Sequence, residues 1–412
     1  MALDAFTRNV LVWMCVLIAA NQLAFSANTP IIAQYAESFG VSMTAIGLTF
    51  AIYGLARLMF NIPSGSTADI LGRKPALAIG GFVSAISAVG CAIAPNYELF
   101  IVARFVGGVG AAFVLTGGQI VLADIATPQN RGRLMSIYQG VFLATAGLGA
   151  IPGGWLATHF GMASPFWASA FFGALVTIVA LRYVPETREH ANRKAFESKT
   201  KMDLSFLQQL RFLVRSEGLM LIGLIGLMAA FGRTGAVFNV IPIMGETELG
   251  LNPAQIGLGL SMISFVSLAF VVPSGILVDK LGRKPIIVPS NFLNGAAFFL
   301  FIIADSYITF LIACFVWSCA GGFAGGAPGA YAADMAPAGM NAAAMGLYRA
   351  LMDVGYVIGP LAIGFMADNW SIDRALFVTA ILTIGSAVLF AVRAPESLPS
   401  SKAKKIEPKP VP

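Results

Sequence analysis

Hydrophobic positions in this chain run on for about twenty residues at a time, the length that crosses a bilayer, and polar positions gather in the stretches between. The apolar runs fall at about 9–32, 44–68, 75–94, 97–124, 132–158 and 165–184, and again at about 217–245, 254–278, 285–304, 306–334, 342–367 and 372–393. Each is long enough, at 1.5 Å per helical residue, to cross about 30 Å of hydrocarbon. The pattern predicts an all-α membrane protein of twelve transmembrane helices, six on each side of a polar interval. The expected organisation is a six-helix bundle over 1–184, a linker over 185–216 with a surface helix near 204–214, a second bundle over 217–395 and a tail over 396–412.

The two halves repeat. The stretch Pro63-Ser64-Gly65-Ser66-Thr67-Ala68-Asp69-Ile70-Leu71-Gly72-Arg73-Lys74-Pro75 returns 210 positions later, from Pro273 to Pro285, with nine of thirteen residues identical. The same offset relates Ile46-Gly47-Leu48 to Ile256-Gly257-Leu258, Asp124 to Asp334, Tyr138 to Tyr348 and Gly149 to Gly359. One offset held without a gap over about a hundred residues marks a tandem duplication.

Charge changes the picture by placement. Only 11% of residues are charged, against roughly 25% in soluble domains. The pI near 9.2 comes from basic residues in short segments between apolar runs, which fits membrane topology and not a nucleic-acid face. With the N-terminus inside, 21 of 26 Lys/Arg fall on the cytoplasmic side and only Arg374 outside, so both termini are expected in the cytoplasm. Cys15, Cys91, Cys314 and Cys319 lie within apolar runs without ligand spacing, so neither a metal nor another cofactor is expected. There is no G-x-x-x-x-G-K-[ST] phosphate loop, and no nucleophile, base or metal set of an enzyme. Gly107-Gly108-x-Gly110 and Gly321-Gly322…Gly325-Gly326 read as faces where helices cross closely.

Two six-helix halves, a long central loop and paired G-x-x-x-D-x-x-G-R-K knots resemble the major facilitator superfamily over about residues 9–395. Arg104-Phe105-Val106-Gly107-Gly108-Val109-Gly110 is similar to that family's fourth-helix pattern. Gly149-Ala150-Ile151-Pro152-Gly153-Gly154 is similar to the fifth-helix pattern of its drug:proton antiporters, with the proline two positions later than usual. The resemblance implies two bundles around a cavity at mid-depth, lined by runs 1, 4, 7 and 10, with runs 2 and 11, and 5 and 8, meeting across the halves. Rocking of the halves then exposes the cavity to each side in turn.

The knots read as a conformational latch: Asp69, Gly72, Arg73, Lys74 and Asp124 in one half, Asp279, Gly282, Arg283, Lys284 and Asp334 in the other. Asp69 is suited to the positive N-terminal end of run 11, near Asn341, and Arg73 to Asp124. Gly72 and Gly282 suit a turn where a side chain would clash.

Ionisable groups at mid-depth cost about 2.5–3.5 kcal/mol each on insertion scales. Asp353 stands roughly 17 Å along run 11, and Arg57 stands at roughly the same height in run 2, so the two are candidates for a pair across the halves. Arg349 competes for Asp353 from one turn away. These three are the proton-coupling candidates; Asn21, Gln22, Arg104, Gln119, Arg233 and Asn239 are the candidates for lining a substrate cavity.

The expected function is proton-coupled export of small amphipathic molecules by a monomer in the cell inner membrane. Uptake of an organic anion is the transport alternative, suggested by more buried arginine than carboxylate. A receptor or scaffold without transport is the alternative of another class.

Overall fold

The computed structural model describes residues 4–127, 130–188, 211–337 and 340–396. The expected surface helix at 204–214 and the tail beyond 396 fall largely outside them, as does the Asp279 side chain. Twelve helices of the described residues are long and apolar enough to cross a membrane. They are α1 Ala5–Asn28, α2 Met43–Leu71, α3 Arg73–Ala92, α4 Tyr97–Ile125, α5 Arg131–Phe160 and α6 Ser164–Arg182 in the first half. The second half holds α7 Glu217–Thr247, α8 Pro253–Leu281, α9 Lys284–Ile302, α10 Tyr307–Asp334, α11 Asn341–Asn369 and α12 Ile372–Arg393.

Local chemistry starts and stops these helices in register with the repeat. Ser42 caps α2 by accepting from the Ala45 amide, and Asn252, 210 residues on, caps α8 through Gln255. Asn96 and Ser306 do the same for α4 and α10. Gly72 and Gly282 end α2 and α8 at φ 105° and 100°, a backbone region costly for any residue with a Cβ. Two helices are irregular: α7 carries a π segment at Arg233–Val240, and α10 breaks at Gly325-Gly326.

The halves pack alike. In the first, α1 lies against α5 and α6, α3 against α4 and α6, and α2 against α4; the second repeats each pair six helices on. Large side chains such as Phe82, Phe160, Ile308 and Val392 face outward, which suits lipid. Gly107, Gly108 and Gly110 let α4 approach α2 and α3, and Gly322 lets α10 approach α8.

Between halves, α2 meets α11 and α5 meets α8, and their closest backbone approaches lie toward the end away from the knots. There backbone rests on backbone. A methyl on Gly47 would overlap the Pro360 carbonyl, and one on Gly257 would come within 2.6 Å of the Ala150 carbonyl. Gly364 against Met43 and Gly154 against Pro253 form a second such set, each related to its counterpart by 210 residues. Asp368 ends α11 by accepting from the Met43 and Thr44 amides at 2.7 and 2.8 Å, and Thr158 of α5 accepts from Ala254 at 3.2 Å. At the knot end the picture reverses. A methyl on Gly140, Gly275 or Gly346 would meet nothing within 4 Å, and one on Gly65 would meet only α4 of its own half. The halves are closed on each other at the far end and stand open at the knot end.

Gly47→Ala or Gly257→Ala should therefore oppose far-end closure by about 1–3 kcal/mol of overpacking. Spin labels at Ser38 and Thr247, both exposed at the far end, should report longer distances, whereas Gly346→Ala should leave them unchanged.

The short helix Ile32–Glu37 packs on the last turn of α7 across the halves. Burial, with Glu246 beside it, pushes the Glu37 carboxyl above the usual range. A raised value means that the closed far end binds the proton more readily than the open one. Its contribution to closure is full below the ordinary carboxylate range and is lost as pH rises through the raised value. The same spin-label distance should shorten on mild acidification, and Glu37→Gln should flatten that response.

Candidate functional site: a mid-depth charge cluster between two knots

At the first knot, Arg73 reaches Asp124 at 2.9 Å, with both side chains 7% exposed, and Asp69 at 2.7 Å. Its guanidinium also donates to the Ala68 carbonyl at 2.9 Å. Thr187 donates to Asp124 at 2.8 Å. At the second knot Arg283 meets Asp334 at 2.9 Å.

Asp69, expected at the start of α11, pairs within its own knot. Its side chain is 69% exposed and bound to Arg73. The helix whose first amides meet a carboxylate is instead α3, and that carboxylate comes from outside the knot motif. Glu186, returning from α6, accepts from the Arg73 and Lys74 amides at 3.0 and 3.2 Å. Glu396 accepts from Arg283 and Lys284 at 3.1 and 3.2 Å. Pro185-Glu186 and Pro395-Glu396 stand 210 apart, so extending the repeat to the ends of both halves would have found them. These carboxylates also occupy the space beside Gly72 and Gly282, where an added Cβ would come within 2.5 and 3.0 Å of their oxygens. Lys284 donates to the Ala394 carbonyl, and the buried Tyr331 to that of Pro395, holding the chain after α12.

At mid-depth the structure brings Arg57 and Asp353 together. Nη2 of Arg57 on α2 donates to Oδ1 of Asp353 on α11 at 2.5 Å, with side chains 20% and 11% exposed. The Tyr356 ring lies 4.8 Å from the guanidinium carbon of Arg57. Arg349, expected to compete for Asp353, is exposed and makes no ion pair among the described residues. It comes into electrostatic reach of Tyr138 on α5 instead. Side chains four apart share a helix face, yet Asp353 turns to the neighbouring helix, where Arg57 waits at its own height.

The candidates for lining a cavity separate. Arg233 begins the π segment of α7 and is exposed although it sits deep in the protein, within electrostatic reach of Arg57, Asp353, Tyr348 and Tyr356. Arg104 is buried; its Nε donates to the Thr49 carbonyl at 3.2 Å, and its guanidinium stacks on Tyr53 at 4.7 Å. It lines a pocket of about 60 Å³ inside the first half, with Asn21, Asn28, Ser84 and Ser87. Gln22 is buried and accepts from Asn21 at 3.4 Å; Gln119 is half-buried. Asn239 is fully buried and donates to the Pro360 carbonyl at 3.4 Å, so it ties α7 to α11 and does not line the cavity. Tyr53 and Tyr356, which cover the arginines, carried no sequence signal, because aromatic residues on membrane helices mostly pack.

A closed far end, an open knot end, and a charge pair joining two pseudo-symmetric bundles define a secondary-transporter fold. The profile of the Major Facilitator Superfamily matches residues 14–252 and 222–412, and the chain belongs to that family. An uncharacterized MFS-type transporter of Methanocaldococcus jannaschii is 25% identical over 94% of this chain and 98% of its own length. Multidrug resistance protein 1 of Bacillus subtilis is 24% identical over 90% and 93%. The fold is shared with a bacterial homolog of the human lysosomal transporter Spinster, at TM-score 0.79 and 14% identity, covering 95% of this chain and 98% of that one. It is also shared with the human organic anion transporter MFSD10, at TM-score 0.66 and 18% identity, covering 94% and 100%. The protein is an integral, multi-pass membrane transporter of this family.

Glu186→Ala removes two hydrogen bonds to the first turn of α3 and should cost about 1–2 kcal/mol. Glu396→Ala should cost a similar amount at α9, and thermal unfolding in detergent checks both.

Proposed function

We propose that this protein exports small amphipathic organic molecules across the cell inner membrane in exchange for protons, by alternating access and as a monomer. The observation that carries this reading is the Arg57–Asp353 pair, one partner from each half, between a closed far end and an open knot end. Placing the Lys/Arg-rich side in the cytoplasm puts both termini there and makes the observed state open to the inside. The relatives named multidrug resistance proteins support export.

The pair gives conformation a route to protonation. When the halves rock, Arg57 moves relative to Asp353, whereas Arg349 travels on the same helix as the acid. Apart from Arg57, the Asp353 carboxylate loses its counter-charge. It then takes a proton from the outward-open side. As the cavity turns inward, Arg57 returns as the counter-charge, and the proton leaves to the cytoplasm. Substrate rides the opposite transition. The Arg73–Asp124 and Arg283–Asp334 pairs hold each knot rigid, and Asp69, exposed in the inward-open state, is free to meet the other half when the knot end closes.

Asp353→Asn in proteoliposomes should abolish pH-driven accumulation while sparing ligand binding, and Arg57→Ala should uncouple as well. Arg349→Ala should leave the coupling to the pH gradient intact. Full pH-driven transport by Asp353→Asn would overturn the assignment.

A further inference from the structure

We propose that the exported molecules are organic anions, whose carboxylate or sulfonate head is held in the central cavity by Arg233, with Arg349 nearer the cavity mouth. The inference rests on the export reading above and narrows its substrate class.

It follows from counting charges at mid-depth. Four arginines lie there, Arg57, Arg104, Arg233 and Arg349, against one carboxylate, Asp353. Arg57 takes that carboxylate at 2.5 Å. Arg104 turns away into the first half, onto the Thr49 carbonyl and the Tyr53 ring. Arg233 and Arg349 remain, each exposed and without an ion pair among the described residues. Unpaired charge inside a membrane protein is costly, so it turns to a water-filled cavity, where a ligand of opposite sign can meet it.

The backbone at Arg233 is built to hold it there. The π segment starts at this residue, and π geometry inside α-helices recurs at functional sites. The next two residues pin α7 to α11: Thr234 Oγ1 donates to the Tyr356 carbonyl at 3.3 Å, and Gly235 lies against Gly359. Tyr356 is itself one turn from Asp353. Arg233 is thereby fixed beside the Arg57–Asp353 pair, on a helix that ends at the closed far end. Arg349 lies one turn from Asp353 toward the open end, within electrostatic reach of Tyr138 of the other half. An acid entering from the knot end meets Arg349 first and Arg233 at depth. A cationic amphiphile meets the same two charges as repulsion, since the one carboxylate is already paired.

The test uses the full chain in proteoliposomes and three fluorescent probes of one shape: a dansyl-labelled medium-chain carboxylic acid, its primary amide and the matching amine. Binding is read by dansyl fluorescence, and export by flux against an inward proton gradient. The acid should bind at least tenfold more tightly than the other two. Arg233→Gln should weaken the acid about tenfold or more, the size of a lost charge-assisted hydrogen bond, and leave the amide unchanged. Arg233→Lys, which keeps the charge and guards against misfolding, should retain part of the preference. Arg349→Gln should slow acid uptake into the cavity more than it weakens binding. Equal binding of the three probes, preference for the amine, no binding of the acid, or an Arg233→Gln protein within twofold of wild type overturns the proposal. Gradient-driven export of the amine or amide without preference for the acid overturns it while leaving the export reading standing. Arg233-dependent binding of the acid with no proton-driven flux of any probe supports the anion site and removes the export reading instead.

Discussion

Backbone lying on backbone at one end of two helix pairs is the contact from which the rest of this architecture follows. Where α2 crosses α11 and α5 crosses α8, glycines stand under the carbonyls of Pro360, Ala150, Met43 and Pro253, and no side chain separates the helices. Hydrocarbon offers no hydrophobic drive for helices to associate, so close van der Waals approach must supply it, and only the smallest residue permits such an approach. Because these contacts sit at one end, the two bundles splay at the other. The open cavity, the exposed Asp69 and the depth at which Arg57 can reach Asp353 are all consequences of that asymmetry.

The knots obey a different physics. At the knot end each half ends a helix on a glycine, turns at once, and begins the next helix with an arginine and a lysine whose amides need acceptors. Glu186 and Glu396 provide them, and the negative charge also suits the positive end of the helix. Arg73 and Arg283 bind carboxylates on the helix two further on, Asp124 and Asp334. Each knot is thus a rigid corner closed within its own half. Rigid corners of this kind suit the proposed alternating access, in which each bundle moves as a body.

Between the two lies a site made of charges that hydrocarbon alone would not tolerate. The arginines resolve that cost in different ways: Arg57 by a carboxylate from the other half, Arg104 by a carbonyl and an aromatic face, while Arg233 and Arg349 stay exposed. The first arrangement depends on how the halves sit and the second does not.

The linear chain by itself determined the spans, the duplication and the height of each charged group along its helix. Span length follows from bilayer thickness, and the offset of 210 carries every landmark from one half to the other, including Glu186 and Glu396 had it been followed to the ends. Height is local, because a helix rises by the same step at every residue. Rotation about the helix axis relative to a neighbour from the other half is not local. That is why Arg57 and Arg349 stood as rival partners for Asp353 until packing placed one across from it, and why Asn239 and Gln22 proved buried. Which end is closed lay further still from the sequence. Both halves carry nearly the same contacts by duplication, so the chain encodes the parts of either state, and only their assembly at the far end decides which one stands.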